Sequence, residues 1–135
     1  MKYIHFGNDH FNINSFENIR KGGYFNKPFG GFWSSPVNSN YGWKHFCKDH
    51  NFGDLTVSFE FELKEDTKIL TIDSLYDLKQ ICSQFIDIDF ASILEDYDAI
   101  YLTEKGFKET HLSTPNLYGW DCETLLVLNK NVIIS

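Results

Sequence analysis

Three short stretches of this chain gather residue types that could do chemistry. The first is His5, followed by Phe6 and Gly7. Side chains alternate along an extended strand, so His5 shares a face with Tyr3 and Gly7 and points away from Ile4 and Phe6. An imidazole in that setting either bonds to backbone as a structural residue or orients a ligand beside a glycine that admits close backbone approach. The second stretch is Gly30-Gly31-Phe32-Trp33-Ser34-Ser35-Pro36. Its proline cannot extend a hydrogen-bond ladder, so the strand ends there, with Trp33 and two hydroxyls on its last residues. The third is Gly119-Trp120-Asp121-Cys122-Glu123-Thr124. Asp121 and Glu123 are two apart, which on a strand projects both carboxylates from one face. Acids at the mouth of an apolar strand are costly to desolvate unless they meet a partner or a ligand.

Two weaker constellations compete with these. His45, Cys47 and His50, with His10, His111 and Cys122 from elsewhere, have the donor types of a zinc site. On one helix His45 and Cys47 point about 200° apart, so that helix alone cannot chelate. A Cys–His nucleophile pair at Cys122 lacks a nucleophile-elbow context. Glu95, Asp96 and Asp98 precede an apolar run and read as a solvated loop. No metal is expected.

The elements that must position the three stretches follow from local pattern. Tyr3 to Phe6 reads as a first strand, and Ser15 caps a short helix over Phe16–Lys21 that Gly22-Gly23 stops. Phe32 to Ser35 is a strand. Ser39 caps a helix that carries Tyr41, Trp43, Phe46 and Cys47 to about His50. Leu55, Val57, Phe59, Phe61 and Leu63 alternate with polar residues, the period of a half-buried strand. Lys68 to Ile72 continues as a strand, and Ser74 with Asp77 opens a helix through Ile81 in the manner of a capping box. A helical turn spans Phe90 to Leu94, and Asp98–Leu102 is a buried strand. Residues 103–117 lack periodicity and read as a loop. Thr124–Leu128 and Val132–Ile134 are closing strands. The expectation is one α+β domain over residues 1–135, a mostly antiparallel sheet with short helices in its N-terminal two thirds.

Composition bounds the function. Of 135 residues 42% are hydrophobic and 17% aromatic, enough for a core built largely from rings. Twelve Lys+Arg against 19 Asp+Glu leave a net charge of −7, with no basic stripe to coat nucleic acid. No apolar run reaches the 18 residues of a membrane span, and the N-terminus meets polar residues too early for a signal peptide. Three cysteines without CxxC spacing fit a reducing compartment, so a cytoplasmic protein is expected.

In their order along the chain, the three stretches resemble the ADP-ribosyltransferase fold. The match is closest to the branch with His on its first strand, an aromatic or hydroxyl residue on its second, and Glu on a late strand. His5 to Cys47 is similar to that family's N-terminal half, and Gly119 to Ile134 to its last strands. The resemblance implies a split, mostly antiparallel sheet and an enzyme that consumes NAD. His5 would contact the adenine-side ribose, and backbone near Gly7 would hold the nicotinamide carboxamide. Trp33, Ser34 and Ser35 would line the nicotinamide subsite, with Tyr41 stacked on the ring. Glu123 would be the catalytic acid and Asp121 the acceptor-orienting residue. Phe6 stands where the family has a glycine after its histidine. Asp121 replaces the more usual Glu or Gln, and Arg20 is the single arginine. The function implied is transfer of ADP-ribose from NAD to an unidentified acceptor, as among bacterial toxin and bacteriophage enzymes, or hydrolysis of NAD as a close variant. The rival is an inactive module that binds a nucleotide or protein in the same cleft.

Overall fold

The computed structural model describes every residue except Phe25 and Phe85, and residues 21, 23 and 24 by their backbone alone. Strands β1 (Tyr3–Phe6), β2 (Arg20–Tyr24), β3 (Lys27–Phe29), β4 (Phe32–Pro36), β5 (Ser58–Leu63), β6 (Ile69–Ile72), β7 (Cys82–Ser83), β8 (Asp87–Ile88), β9 (Ala99–Leu102), β10 (Thr124–Val127) and β11 (Ile133–Ile134) alternate with four short helices. These are α1 (Trp43–Asp49), α2 (Leu75–Gln80), α3 (Phe90–Asp96) and α4 (Glu104–Thr110). Seven strands form one curled sheet in the order β11-β5-β1-β4-β10-β9-β6. Every neighbouring pair in it is antiparallel except β6 and β9. That parallel pair needs a crossover, which α2, the β7–β8 hairpin and α3 supply. The class is α+β with a mostly antiparallel sheet.

Register assigns each side chain to a face. Ile4 lies opposite Ser35, Trp33 opposite Leu126, and Leu126 opposite Ile100. This face carries the main core, where Ile100, Leu102, Leu117, Trp120 and Leu126 are fully buried beneath the helices. Tyr3 lies opposite Phe61, His5 opposite Phe59, Ser34 opposite Leu125, and Leu125 opposite Tyr101. A second, ring-rich core of Tyr3, Phe61, Leu125 and Val127 with Phe32, Phe59 and Tyr101 packs on that opposite face. β10 is central and buried on both faces, so its run of apolar residues has no alternation. Burying each of its leucines contributes about 1.5–3 kcal/mol.

The sequence pattern and the structure differ most at three places. The expected helix at 16–21 is absent: a 3₁₀ turn at Ile13–Ser15 is followed by β2, and Ser15 lies within the turn. There Gly22 takes a close backbone approach to Lys27 on β3 in place of stopping a helix. Ser39 does not cap α1, whose first residue is Trp43, so Tyr41 precedes that helix. A Cβ on Gly42 would lie 2.8 Å from the Ser35 Cβ, and only glycine lets β4 and the start of α1 approach this closely. Residues expected as loop hold α4 instead, capped by the Thr103 hydroxyl, which accepts from the Gly106 N–H at 2.9 Å. Helices therefore extend into the last third of the chain. The Ser74 cap is present and accepts from the Asp77 N–H at 3.1 Å.

Candidate active site

Glu123 lies one residue before β10, and its main chain is held from two sides. Its N–H donates to the Tyr41 carbonyl at 3.0 Å, and its carbonyl accepts from the Ser35 hydroxyl at 2.8 Å. Ser35 also accepts from the Trp43 N–H at 2.9 Å, tying β4, α1 and β10 together through one hydroxyl. The Glu123 side chain is 8% exposed and has both oxygens engaged. The Ser39 hydroxyl donates to Oε1 and the Tyr101 hydroxyl donates to Oε2. Ser39 is placed by the turn after β4, where its N–H donates to the Pro36 carbonyl at 3.1 Å and its Oγ accepts from the Tyr41 N–H at 3.2 Å. Burial, and next the hydrogen bond to Glu123, raise the Tyr101 phenol above its ordinary value. Burial, and then the charge of Glu123, raise Tyr3 as well. Both phenols stay protonated, and Tyr101 stays a donor.

His5 is on the same face, on β1. Its Nδ1 is 2.7 Å from the Trp33 carbonyl, so Nδ1 carries the proton and donates. Nε2 then accepts from the Asn8 side-chain amide at 3.2 Å. The ring stacks on Phe32 with centroids 4.0 Å apart. Burial lowers its pKa, against the Trp33 carbonyl, which raises it, and the imidazole is neutral near pH 7. The β1–β4 register of Tyr3 with Pro36 and Ile4 with Ser35 puts His5 on the face of Ser34, which pairs with Leu125 two residues after Glu123.

The other candidates are distributed as follows. Ser34 is 1% exposed, and its hydroxyl donates to the Leu125 carbonyl at 3.0 Å. Gly7 has φ +103°, a left-handed conformation suited to glycine, and its N–H donates to the Val57 carbonyl at 2.9 Å. Trp33 and Ser35 belong to the sheet face opposite Glu123, with the Trp33 ring 5.0 Å from that of Trp120. The Tyr41 ring stacks with Phe107 of α4 and with His45 of α1, centroids 6.1 and 6.0 Å away. Asp121 is partly buried, and burial raises its pKa against the pull of Lys27, His111 and His50. Strand alternation does not carry through this turn, so the surroundings of Asp121 differ from those of Glu123. His5, Ser34 and Glu123 thus share one sheet face, but Ser34 and Glu123 are both buried.

A cleft of about 240 Å³ opens on the Trp33 side of the sheet, lined among others by His5, Lys27, Trp33, Trp43, Cys47 and Phe52. Among the described residues no group of three or more His, Cys, Asp or Glu side chains converges as a metal site. Cys122 is fully buried, and burial pushes its thiol up to about 12, unsuited to nucleophilic attack. No helix among the described residues is long and apolar enough to cross a membrane.

The sequence marks Ser39 only as a helix cap and Tyr101 only as part of a buried strand, neither as a site residue. The available signal for Tyr101 was a lone hydroxyl in an otherwise aliphatic strand, since a buried phenol needs a partner. Fold and site together define an α+β domain with a buried, hydroxyl-held carboxylate at the head of its central strand. Comparison with known proteins adds no relative: no family model, curated protein or solved structure matches the chain.

Proposed function

We propose that the chain is an NAD-dependent ADP-ribosyltransferase of the ADP-ribosyltransferase-like fold, with Glu123 as its catalytic carboxylate. The observation that carries this reading is the double hydroxyl clamp on Glu123, on the sheet face that also bears His5. Cleaving the nicotinamide–ribose bond passes through an oxocarbenium-like cation, as glycoside hydrolysis does. A carboxylate fixed before the reaction stabilises that cation without having to reorganise. Ser39 and Tyr101 hold the two oxygens in place, and a ribose hydroxyl would join or replace one of them. His5 would offer Nε2 to the adenine-side ribose in place of Asn8. Asp121 would orient the acceptor, and Tyr41 would stack on nicotinamide. With few cations available, backbone, hydroxyl groups and rings would carry most of the recognition of an anionic dinucleotide. A cytoplasmic setting fits this substrate.

The test uses purified protein with NAD labelled separately in nicotinamide and in adenine, with and without cell lysate. Release of nicotinamide with the adenine label moved onto a macromolecule is the expected result. Release with free ADP-ribose alone makes the protein an NAD glycohydrolase. Binding without release makes it an inactive module, and that outcome overturns the enzymatic reading.

A further inference from the structure

The cleft on the Trp33 side does not belong to the carboxylate site, and its chemistry is different. Lys27 comes from β3, outside the seven-stranded sheet. Its stem runs along Gly119, where an added Cβ would meet the Lys27 Cβ at 3.1 Å and its Cδ at 3.2 Å. The ammonium then lies over two indole rings, 5.2 Å from the Trp33 centroid and 5.5 Å from that of Trp43. Those rings meet edge to face at 6.1 Å. Among the described residues no carboxylate lies within ion-pair distance of Lys27, and its ammonium makes no hydrogen bond. The Trp43 Nε1–H is buried without a partner. Asp54 lines the same cleft, but its Oδ1 already accepts from the Thr56 N–H and hydroxyl.

Donor counting decides what fits. Among the described residues the half-buried Lys27 ammonium has no protein hydrogen-bond acceptor, Asp121 acting on it only as a nearby charge. The buried indole N–H has none either, which is costly for a buried donor. The walls are flat π faces that favour a planar body. About 240 Å³ lies below the roughly 300–1,000 Å³ of pockets for drug-sized ligands, so a single ring system fits and a whole dinucleotide does not. We propose that this cleft binds a planar aromatic or heteroaromatic ligand carrying an anionic group, its ring against Trp33 and Trp43 and its anion on Lys27. The cleft shares His5 and Trp33 with the residues expected to meet NAD but does not include Glu123, so the Glu123→Gln variant separates the two sites.

Two pairs of probes test the assignment: benzoate against benzyl alcohol, and AMP against adenosine. Each is titrated calorimetrically into the wild type and into Lys27→Met, Lys27→Arg and Glu123→Gln variants. At least one anion should bind about tenfold or more tightly than its neutral counterpart, as a charge-assisted hydrogen bond provides. Lys27→Met should abolish that preference, Lys27→Arg should keep it, and Glu123→Gln should leave it unchanged. The pair that shows the preference tells an aromatic carboxylate from a nucleotide phosphate. If neither anion is preferred, or if Lys27→Met keeps the preference, the assignment is overturned. Because Glu123→Gln keeps this site intact, a failed NAD assay and a failed titration are read separately.

Discussion

Glu123 and Lys27 lie on opposite sides of the central sheet, and the fold treats their charges differently. The carboxylate has a hydroxyl donor on each oxygen and a main chain fixed to Tyr41 and Ser35. The ammonium lies over two ring faces and, among the described residues, has no protein acceptor. A group satisfied before a ligand arrives can stabilise a developing charge without reorganising, which suits catalysis. A group left unsatisfied gains its hydrogen bonds from the ligand itself, which suits binding. The two sides share β4 and β10, whose alternating residues send Ser34 and Leu125 to one face and Trp33 and Leu126 to the other.

The largest expected effects come from breaking the shared strand. Leu125 and Leu126 are both fully buried, and Leu125→Ala or Leu126→Ala should each destabilise the fold by about 2–5 kcal/mol. Urea denaturation measures this, and two similar losses would show that both cores hold the strand. Next, Tyr101→Phe and Ser39→Ala each remove one donor from Glu123. Each should lower the rate of nicotinamide release about tenfold, read in steady-state kinetics, since a hydrogen bond to a charged group contributes about 1.5–3 kcal/mol. If both variants kept the wild-type rate, the clamp would be structural only. Thr103→Ala removes the cap of α4 and should cost about 1 kcal/mol, seen as a lowered melting temperature.

How much of this was legible in the sequence depended on local pattern. The alternation of Phe59, Phe61 and Leu63 with Ser58, Glu60 and Glu62 gave β5, because one of its faces meets solvent. The same rule located β1, and it set His5 opposite its neighbours. The pattern failed where tertiary contacts override it. The Ser15–Gly23 segment has helix-capping chemistry, yet Ser15 ends a 3₁₀ turn and the chain from Arg20 on pairs with β3 as a strand. α4 was missed because Phe107 is its lone large apolar residue, although Thr103 with Gly106 and the Glu104–Lys108 pair mark a helix start. Ser39 and Tyr101 reach Glu123 from 84 and 22 residues away, and no local window joins them.

The smallest effects are in the pH dependence of stability, and they again contrast two groups. His5 sits below its ordinary 6.5 because of burial, so the unfolded chain binds more protons just below that value. Stability is therefore full above pH 6.5 and falls as pH drops toward the lowered value. Asp121 is raised above its ordinary 3.8, so the folded chain binds more protons in that window. Its contribution is full below pH 3.8 and is lost as pH rises through the raised value. Denaturation curves from pH 3 to 8 should show each slope flattened by His5→Gln and Asp121→Asn respectively. An unchanged slope in either variant would assign that dependence to another group.

The most direct test of the catalytic role of Glu123 is nicotinamide release from NAD by the wild type and by Glu123→Gln, a change that keeps the size of the side chain and removes its charge. The expected result is a fall of about 10²–10³ in the rate of release with NAD binding retained. Equal release by the two proteins would contradict it.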